Sequence, residues 1–430
     1  MIVFLNTNGI CSFTIFLIIR FYINRKDDRC RYFEIRSWSK VIPLIFHLTN
    51  TTKQQMDVNI ENLLDIGTVD FPENISRQAV SKARHGIKPE LFKIIFYQAT
   101  EIFYQNLGES AKELWKGIYS IFAIDGSKFE LPVSPSNFAV FGEMFSSENP
   151  KRRWSQALVS TIYDVMNDFI PHAVVMPYLG SEREAALRHF EALEKLKILS
   201  GNSILIFDRG YYSEDMFRYF CSKGNFCVMR IKEGYNLSKR CKGDTMDVLY
   251  GNPKAGTEDI AIRVIRIDLG NGTTEYLATN LFDKVLTISD FRDLYFKRWP
   301  IELKYKELKS QIQIEEFIGT SSISVEQEIF ISLLYSNLAA LVKKQADKDI
   351  SENANPDNKF DYQSKRSFSI GRIRKTFTYV ICRAWGQSEI DRLFNRAAKS
   401  KSQIQPERKV PRKKPKKERT HFNNRKPCMV

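Results

Sequence analysis

The chain has 430 residues, with 65 Lys and Arg against 50 Asp and Glu, a formal charge of +15 and a pI near 9.3. That length exceeds one average domain, so two or three domains are expected, and the charge favours a polyanionic partner. Seven cysteines without a CxxC pair, and five histidines at no metal spacing to them, exclude a zinc module and a disulfide scaffold; reduced thiols in a cytosolic protein are the simplest account.

Residues 1–52 form an N-terminal extension. Ile2–Ile23 is apolar overall but is interrupted by Asn6, Asn8, Gly9 and Arg20. Its longest clean run, FTIFLII, is too short to span a bilayer. No small-residue cleavage site follows, so neither a signal peptide nor a membrane role is expected. The working expectation is that translation begins downstream of this segment. Residues 53–117 are helical in pattern. Within them Ser76–Arg84 carries Arg77, Lys82 and Arg84 on a short amphipathic stretch. It either contacts a nucleic acid or packs on the next domain, because three cations alone do not make a recognition helix.

Residues 118–233 are strand-rich. Ile118–Pro132 (IYSIFAIDGSKFELP) reads as two strands joined by a tight turn at Asp125 and Gly126. Gln156–Val165 and Phe169–Met176 follow as strands, then Ser181–Leu199 as a helix. Ile204–Phe207 is a short buried strand that delivers Asp208 to its C-terminal end. A helix over Ser213–Ser222 and a strand over Phe226–Lys232 complete the block. Three strands, helix, strand, helix, strand is a ribonuclease H-like order, in which Asp125 and Asp208 would lie side by side on neighbouring central strands. A lone strand-end aspartate is ordinarily a turn former or a helix N-cap.

Residues 234–283 read as a β-rich insertion. Ile260–Leu269 and Thr274–Leu281 alternate well and are joined by Gly270, Asn271 and Gly272, a hairpin signal. The helical period returns over 284–345, where Tyr295, Arg298, Glu302 and Lys309 fall within an arc of about 60° if one helix carries them. Glu307 falls about 120° from Tyr295 and points elsewhere. Such a window also fits a solvated helix of mixed charge, and Pro300 implies a kink or a helix restart that weakens the single-helix arc. Ser324–Lys344 is a further apolar helix. Residues 346–398 form a helical C-terminal region, with a polar linker or loop over Asp347–Lys365 and helical character from Phe368 to Ala397. From Lys399 to Lys426 the chain holds twelve Lys and Arg against two Glu, among them Lys413 and Lys414. With four prolines and few apolar residues, 399–430 is expected to be a basic tail, disordered until it meets DNA.

The spacing Tyr, two residues, Arg, three residues, Glu, six residues, Lys is complete at Tyr295, Arg298, Glu302 and Lys309. With AIDGS around Asp125 and DRGYYS around Asp208, the chain resembles DDE transposases of the insertion-sequence four family. The resemblance takes in ISRQAVSKARHGIKPELF from Ile75 to Phe92, LATNL from Leu277 to Leu281 and PRKK from Pro411. It implies an α/β fold: a ribonuclease H-like mixed sheet with helices, interrupted by an all-β insertion, with a helical N-terminal domain and a basic tail. Asp125, Asp208 and Glu302 would be catalytic and hold two Mg²⁺ ions, with Mn²⁺ able to substitute. Tyr295, Arg298 and Lys309 would grip phosphates, and Trp299 or Tyr276 would stack on an unpaired base; for Trp299 an ordinary core position is the competing reading.

The resemblance further implies cleavage at terminal inverted repeats, a DNA hairpin, joining to target DNA, a homodimer in a synaptic complex, and a cytoplasmic, nucleoid-associated protein without membrane contact. Two other readings stay open: a transposase-derived DNA-binding protein without catalysis, and a ribonuclease H-like nuclease without strand transfer.

Overall fold

The computed structural model describes residues 45, 46, 49, 77–106, 113–146, 149, 153–251, 259–270, 272–381 and 387–405. The apolar run Ile2–Ile23 and the tail lysines Lys413 and Lys414 lie outside them. The described helices are α1 (Arg77–His85), α2 (Pro89–Asn106), α3 (Pro135–Phe141), α4 (Glu182–Lys195), α5 (Glu214–Ser222), α6 (Asn236–Arg240), α7 (Ile288–Phe296), α8 (Trp299–Ser310), α9 (Ser322–Glu352), α10 (Arg366–Ile381) and α11 (Gln387–Lys399). The strands are β1 (Ser120–Leu131), β2 (Met144–Phe145), β3 (Arg153–Asp164), β4 (Phe169–Pro177), β5 (Ser203–Phe207), β6 (Phe226–Ile231), β7 (Thr245–Tyr250), β8 (Ile260–Asp268), β9 (Thr274–Thr279), β10 (Tyr362–Ser364) and β11 (Lys401–Gln403). They form a mixed α/β protein of two compact units.

One unit comprises Gly108–Lys128 and Leu158–Lys306. Its sheet has the order β4-β3-β1-β5-β6-β9-β8-β7. β1 pairs parallel with β5, Ser120 against Ser203 through Ile124 against Phe207, and β5 pairs parallel with β6. All five residues of β5 are buried, as a strand covered on both faces requires. Alternate side chains feed two cores. Phe122, Ile124, Leu205 and Phe207 pack with Phe190 of α4 and Phe217 of α5; Ile121, Ile204 and Ile206 pack with Phe291, Leu294 and Tyr295 of α7. Side chains start these helices. Ser181 and Ser213 accept from Glu184 N and Met216 N, and Thr287 with Asp290 forms a capping box ahead of α7.

Two expectations change here. β1 runs unbroken through Asp125 and Gly126, so the tight turn is overturned: Gly126 does not adopt a positive φ, and the Asp125 carbonyl accepts from Ser160 Oγ at 3.1 Å and lies 2.8 Å from the Tyr305 hydroxyl. The segment 234–283 contains α6 and β7 besides the hairpin, whose Gly270 and Gly272 have φ of 79° and 76°. It also extends the main sheet, because β9 pairs antiparallel with β6, from Val228 against Thr279 to Ile231 against Tyr276. The helix restart expected at Pro300 is present, and the signature lies on two helices. α7 ends at Phe296, Arg298 sits between, and α8 starts at Trp299 with Pro300 in its first turn, where the missing N–H costs nothing.

The other unit comprises Met1–Leu107, Phe129–Ala157 and Glu307–Val430. There β2 pairs with Arg153 and Trp154 at the start of β3. α9 is its core: α1, α2, α3, α10, α11 and β10 all pack on it. Among the described residues α9 alone is long and apolar enough to cross a membrane, and 89% of its most apolar window is buried inside the protein. Buried polar groups on it are matched: Glu328 accepts from Arg84 Nη2 at 2.8 Å and from the backbone N–H groups of Ile318 and Gly319. Arg84 is therefore a packing residue of α1 and does not face a ligand, which removes one of the three cations considered for nucleic-acid contact. Glu307 turns into this unit, where Arg366 holds it through two bonds of 2.9 and 3.0 Å. α9 runs to Glu352, well into the expected linker, and Lys401–Gln403, expected as tail, pairs antiparallel with β10.

Arg84→Ala would leave Glu328 buried without its cation. The expected result is a loss of about 3 kcal/mol or more in chemical denaturation.

Candidate active site

The site follows from register. Ile124 lies opposite Phe207, and one residue further along both parallel strands come Asp125 and Asp208. Asp125 Oδ1 accepts from Gly126 N at 2.9 Å. Burial pushes the Asp125 carboxyl up to about 6, with Glu182 and Asp208 adding to the rise and the Gly126 N–H and Arg298 opposing it. α7 brings Tyr295, whose hydroxyl donates to Asp208 Oδ1 at 3.3 Å. Burial first, then the Asp208 charge, holds that phenol protonated well above its ordinary range.

The turn between α7 and α8 places Arg298 over the Tyr295 ring at 5.8 Å, within the field of Asp208. Its Nη2 donates to Glu302 Oε1 at 2.7 Å, while its buried Nε has no partner. That orphaned donor is a ready contact for one more acceptor, and a phosphate oxygen suits it. Five of the sequence-selected residues, Asp125, Asp208, Tyr295, Arg298 and Glu302, are thus brought together. Trp299 is 40% exposed, which overturns its reading as a core tryptophan. Lys309 falls in the other unit, pairing with Glu315 at 3.3 Å and lying over the Phe129 ring. Tyr276 is partly buried against the core of β7 and β8.

Sequence reasoning missed the groups that surround Asp125. Glu182, at the start of α4, is close enough that a Cβ on Gly126 would lie 2.7 Å from its Oε1. Buried Tyr305 shares its hydroxyl between the carbonyls of Asp125 and Val159 and accepts from Thr161. Ser160, which donates to the Asp125 carbonyl, is 3.0 Å from His189 Nε2, and His189 Nδ1 is 2.7 Å from His172 Nδ1. Burial pulls both imidazoles down, His172 to about 4, so the pair is neutral at pH 7 and a hydrogen bond joins the rings. A lone glutamate or histidine in a helix has no signature in sequence that sets it apart.

Among the described residues no three His, Cys, Asp or Glu side chains are drawn together to hold a metal ion as they stand. Glu302 is tied to Arg298, which accounts for part of this. The donor set nevertheless fits a hard divalent cation. It offers carboxylate oxygens, and the raised Asp125 carboxyl marks a buried negative charge that a cation would relieve.

Residues 116–338, just over half the chain, match the family described as transposase DDE domain. The chain belongs to that family. The match takes in Asp125, Asp208 and Glu302 together with the whole described sheet except β10 and β11. Two relatives come from Escherichia coli (strain K12). The transposase InsG for insertion sequence element IS4 is 25% identical over 65% of this chain and 64% of its own length. The putative transposase InsZ is 27% identical over 35% of this chain and 47% of its own. The chain therefore spans less than two thirds of either relative. A piggyBac transposase synaptic complex with hairpin DNA aligns over 89% of this chain and 80% of that one, with a TM-score of 0.44 and 8% identity.

The raised Asp125 carboxyl has a stability consequence of definite sign. A carboxyl raised in the folded state favours folding when protonated; that contribution is complete below about pH 4 and lost as pH rises through about 6. In chelator, Asp125→Asn is expected to stabilise the protein at pH 8 by about 3 kcal/mol and to have little effect at pH 4. Thermal unfolding at the two pH values measures this.

Proposed function

We propose that the chain is the DNA transposase of an insertion sequence, which cuts the element's ends by phosphoryl transfer and joins them to target DNA. The observation that carries the reading is Asp125 beside Asp208, with Glu302 and Arg298 at the same place. Membership of the transposase DDE family supports it, and the order β4-β3-β1-β5-β6 supports a ribonuclease H-like catalytic core.

Asp125, Asp208 and Glu302 would hold divalent cations, Mg²⁺ with Mn²⁺ able to substitute. When bound, such ions supply Lewis acidity to phosphoryl oxygens and lower the pKa of bound water. The protein's own groups do the rest. Arg298, with an unpartnered Nε, binds a phosphate oxygen in exchange for its bond to Glu302. Tyr295, protonated throughout, donates to a second oxygen. Water attacks phosphorus, the bond to the 3′ oxygen breaks, and the 3′ hydroxyl so freed becomes the next nucleophile. Attack on the opposite strand forms a hairpin, a second hydrolysis opens it, and the ends transfer to the target. Exposed Trp299, next to Arg298, is placed to stack on the base that a hairpin displaces. Lys309 and the tail lysines Lys413 and Lys414 add phosphate contacts. The partners are the terminal inverted repeats and target DNA, a second copy of the chain holds the second end, and the site of action is the nucleoid in the cytoplasm.

With labelled terminal-repeat duplex and Mg²⁺, Asp125→Ala, Asp208→Ala or Glu302→Ala is expected to cut cleavage by on the order of a hundredfold or more while end binding persists. Retained cleavage in any one removes that residue from the site. Arg298→Ala should impair hairpin formation more than first-strand nicking; equal loss contradicts its role. Removing residues after Gln405 should weaken DNA binding and flatten its dependence on salt, whereas an unchanged slope makes the tail irrelevant.

A further inference from the structure

We infer that Tyr305, which lies outside the four-residue signature, is a positioning residue of the catalytic centre: its hydroxyl docks the helix that carries Glu302 onto the strand at Asp125. This rests on the catalytic reading above.

The break between α7 and α8 creates the need for such a contact. Tyr295, near the end of α7, reaches Asp208, but α7 stops at Phe296 and a new helix starts at Trp299. Helix continuity therefore does not carry the placement of Tyr295 on to Glu302. The first two turns of α8 must be fixed by contacts of their own. Ile301 supplies an apolar one, with none of its surface exposed. Lys304 and Tyr305, about one turn after Glu302, supply polar ones. Lys304 Nζ pairs at 2.5 Å with Asp168 Oδ1, in the turn between β3 and β4.

Tyr305 reaches the site itself. Its hydroxyl donates to the Asp125 carbonyl at 2.8 Å and to the Val159 carbonyl at 3.0 Å, on the adjacent strands β1 and β3, and accepts from Thr161 Oγ1 at 3.0 Å. Burial first, then the Asp125 charge, holds the phenol protonated, so it stays a donor. The bond is to the backbone of Asp125, so Tyr305 occupies no oxygen of the Asp125 carboxylate. Glu302 is held by Arg298 in the chain free of DNA. What Tyr305 fixes is the helix beneath Glu302, whichever partner that side chain takes. Such placement matters because a shift of about 1 Å at a reacting centre is enough to cost about a hundredfold in rate.

The test compares Tyr305→Phe with Tyr119→Phe. Each removes one phenol hydroxyl from this unit, and that of Tyr119 bonds Asp283, outside the site. Each variant, bound to terminal-repeat duplex, is assayed for single-turnover cleavage in Mg²⁺ and for Mn²⁺ affinity by loss of the free-ion paramagnetic resonance signal. Tyr305→Phe is expected to keep end binding within about threefold and to lose about tenfold or more in both cleavage rate and Mn²⁺ affinity. Tyr119→Phe is expected to lose stability only. Thr161→Val, which removes the bond that orients the Tyr305 hydroxyl, should lower cleavage and affinity by about threefold or more, and it carries the comparison if Tyr305→Phe does not fold. Wild-type cleavage or unchanged Mn²⁺ affinity in Tyr305→Phe, or equal losses in Tyr119→Phe, overturns the inference and leaves the catalytic reading standing. Cleavage by Asp125→Ala at the wild-type rate would instead sink the catalytic reading and the inference together.

Discussion

The parallel pairing of β1 with β5 is the constraint on which the rest of the unit depends. Side chains on a strand alternate with a period of two, so a slip of one residue would turn Asp208 away from Asp125 and reverse the faces of Ile204, Leu205, Ile206 and Phe207. Burial forbids that slip. All five residues of β5 are enclosed, and each face meets a different set of helices, α4 and α5 on one side and α7 on the other. The placement of two carboxylates thus follows from hydrophobic registration several residues away. The helix that closes the second face also carries Tyr295, so the same packing that fixes the strands delivers the phenol to Asp208.

Charge is the second theme of the site. The Asp125 carboxyl is buried where negative charge is costly, in the field of Asp208 and Glu182, and Arg298 is a cation that opposes them. The arrangement is neither fully paired nor fully solvated. Arg298 keeps a buried Nε without a partner. Stable cores rarely leave such groups unmatched, and sites that await a charged ligand do. Around this loaded centre the neutral supports are well matched: Ser160 and Tyr305 fix the Asp125 carbonyl, and the His172 and His189 pair backs Ser160 without adding charge.

Much of this was legible in the chain. Asp208 was visible because an apolar run short enough to be one buried strand ends on it, and Glu302 because Tyr295 and Arg298 stand at fixed distances ahead of it. Pro300 announced the restart of the helix. Gly126 misled because Asp-Gly between apolar runs is a strong turn signal, and nothing local distinguishes a glycine needed for φ from one needed for space. Glu182 stayed hidden because an acidic residue in the first turn of a helix is ordinary, favoured by the helix dipole alone. Whether Arg84 met a nucleic acid or packed inward could not be read locally, because its partner Glu328 lies 244 residues away. The strands that extend the sheet beyond β6 read as a separate insertion, since pairing partners distant in sequence leave no trace in alternation.

The central claim is that Asp125, Asp208 and Glu302 together hold the divalent cations on DNA. Replacing Mg²⁺ by Fe²⁺ in the complex with a terminal-repeat duplex, and adding ascorbate and peroxide, cuts the polypeptide wherever the iron is held. The account predicts fragments ending near residues 125, 208 and 302 together, all suppressed by excess Mg²⁺. Iron held by the complex but cutting elsewhere, or near only one of the three, would contradict it.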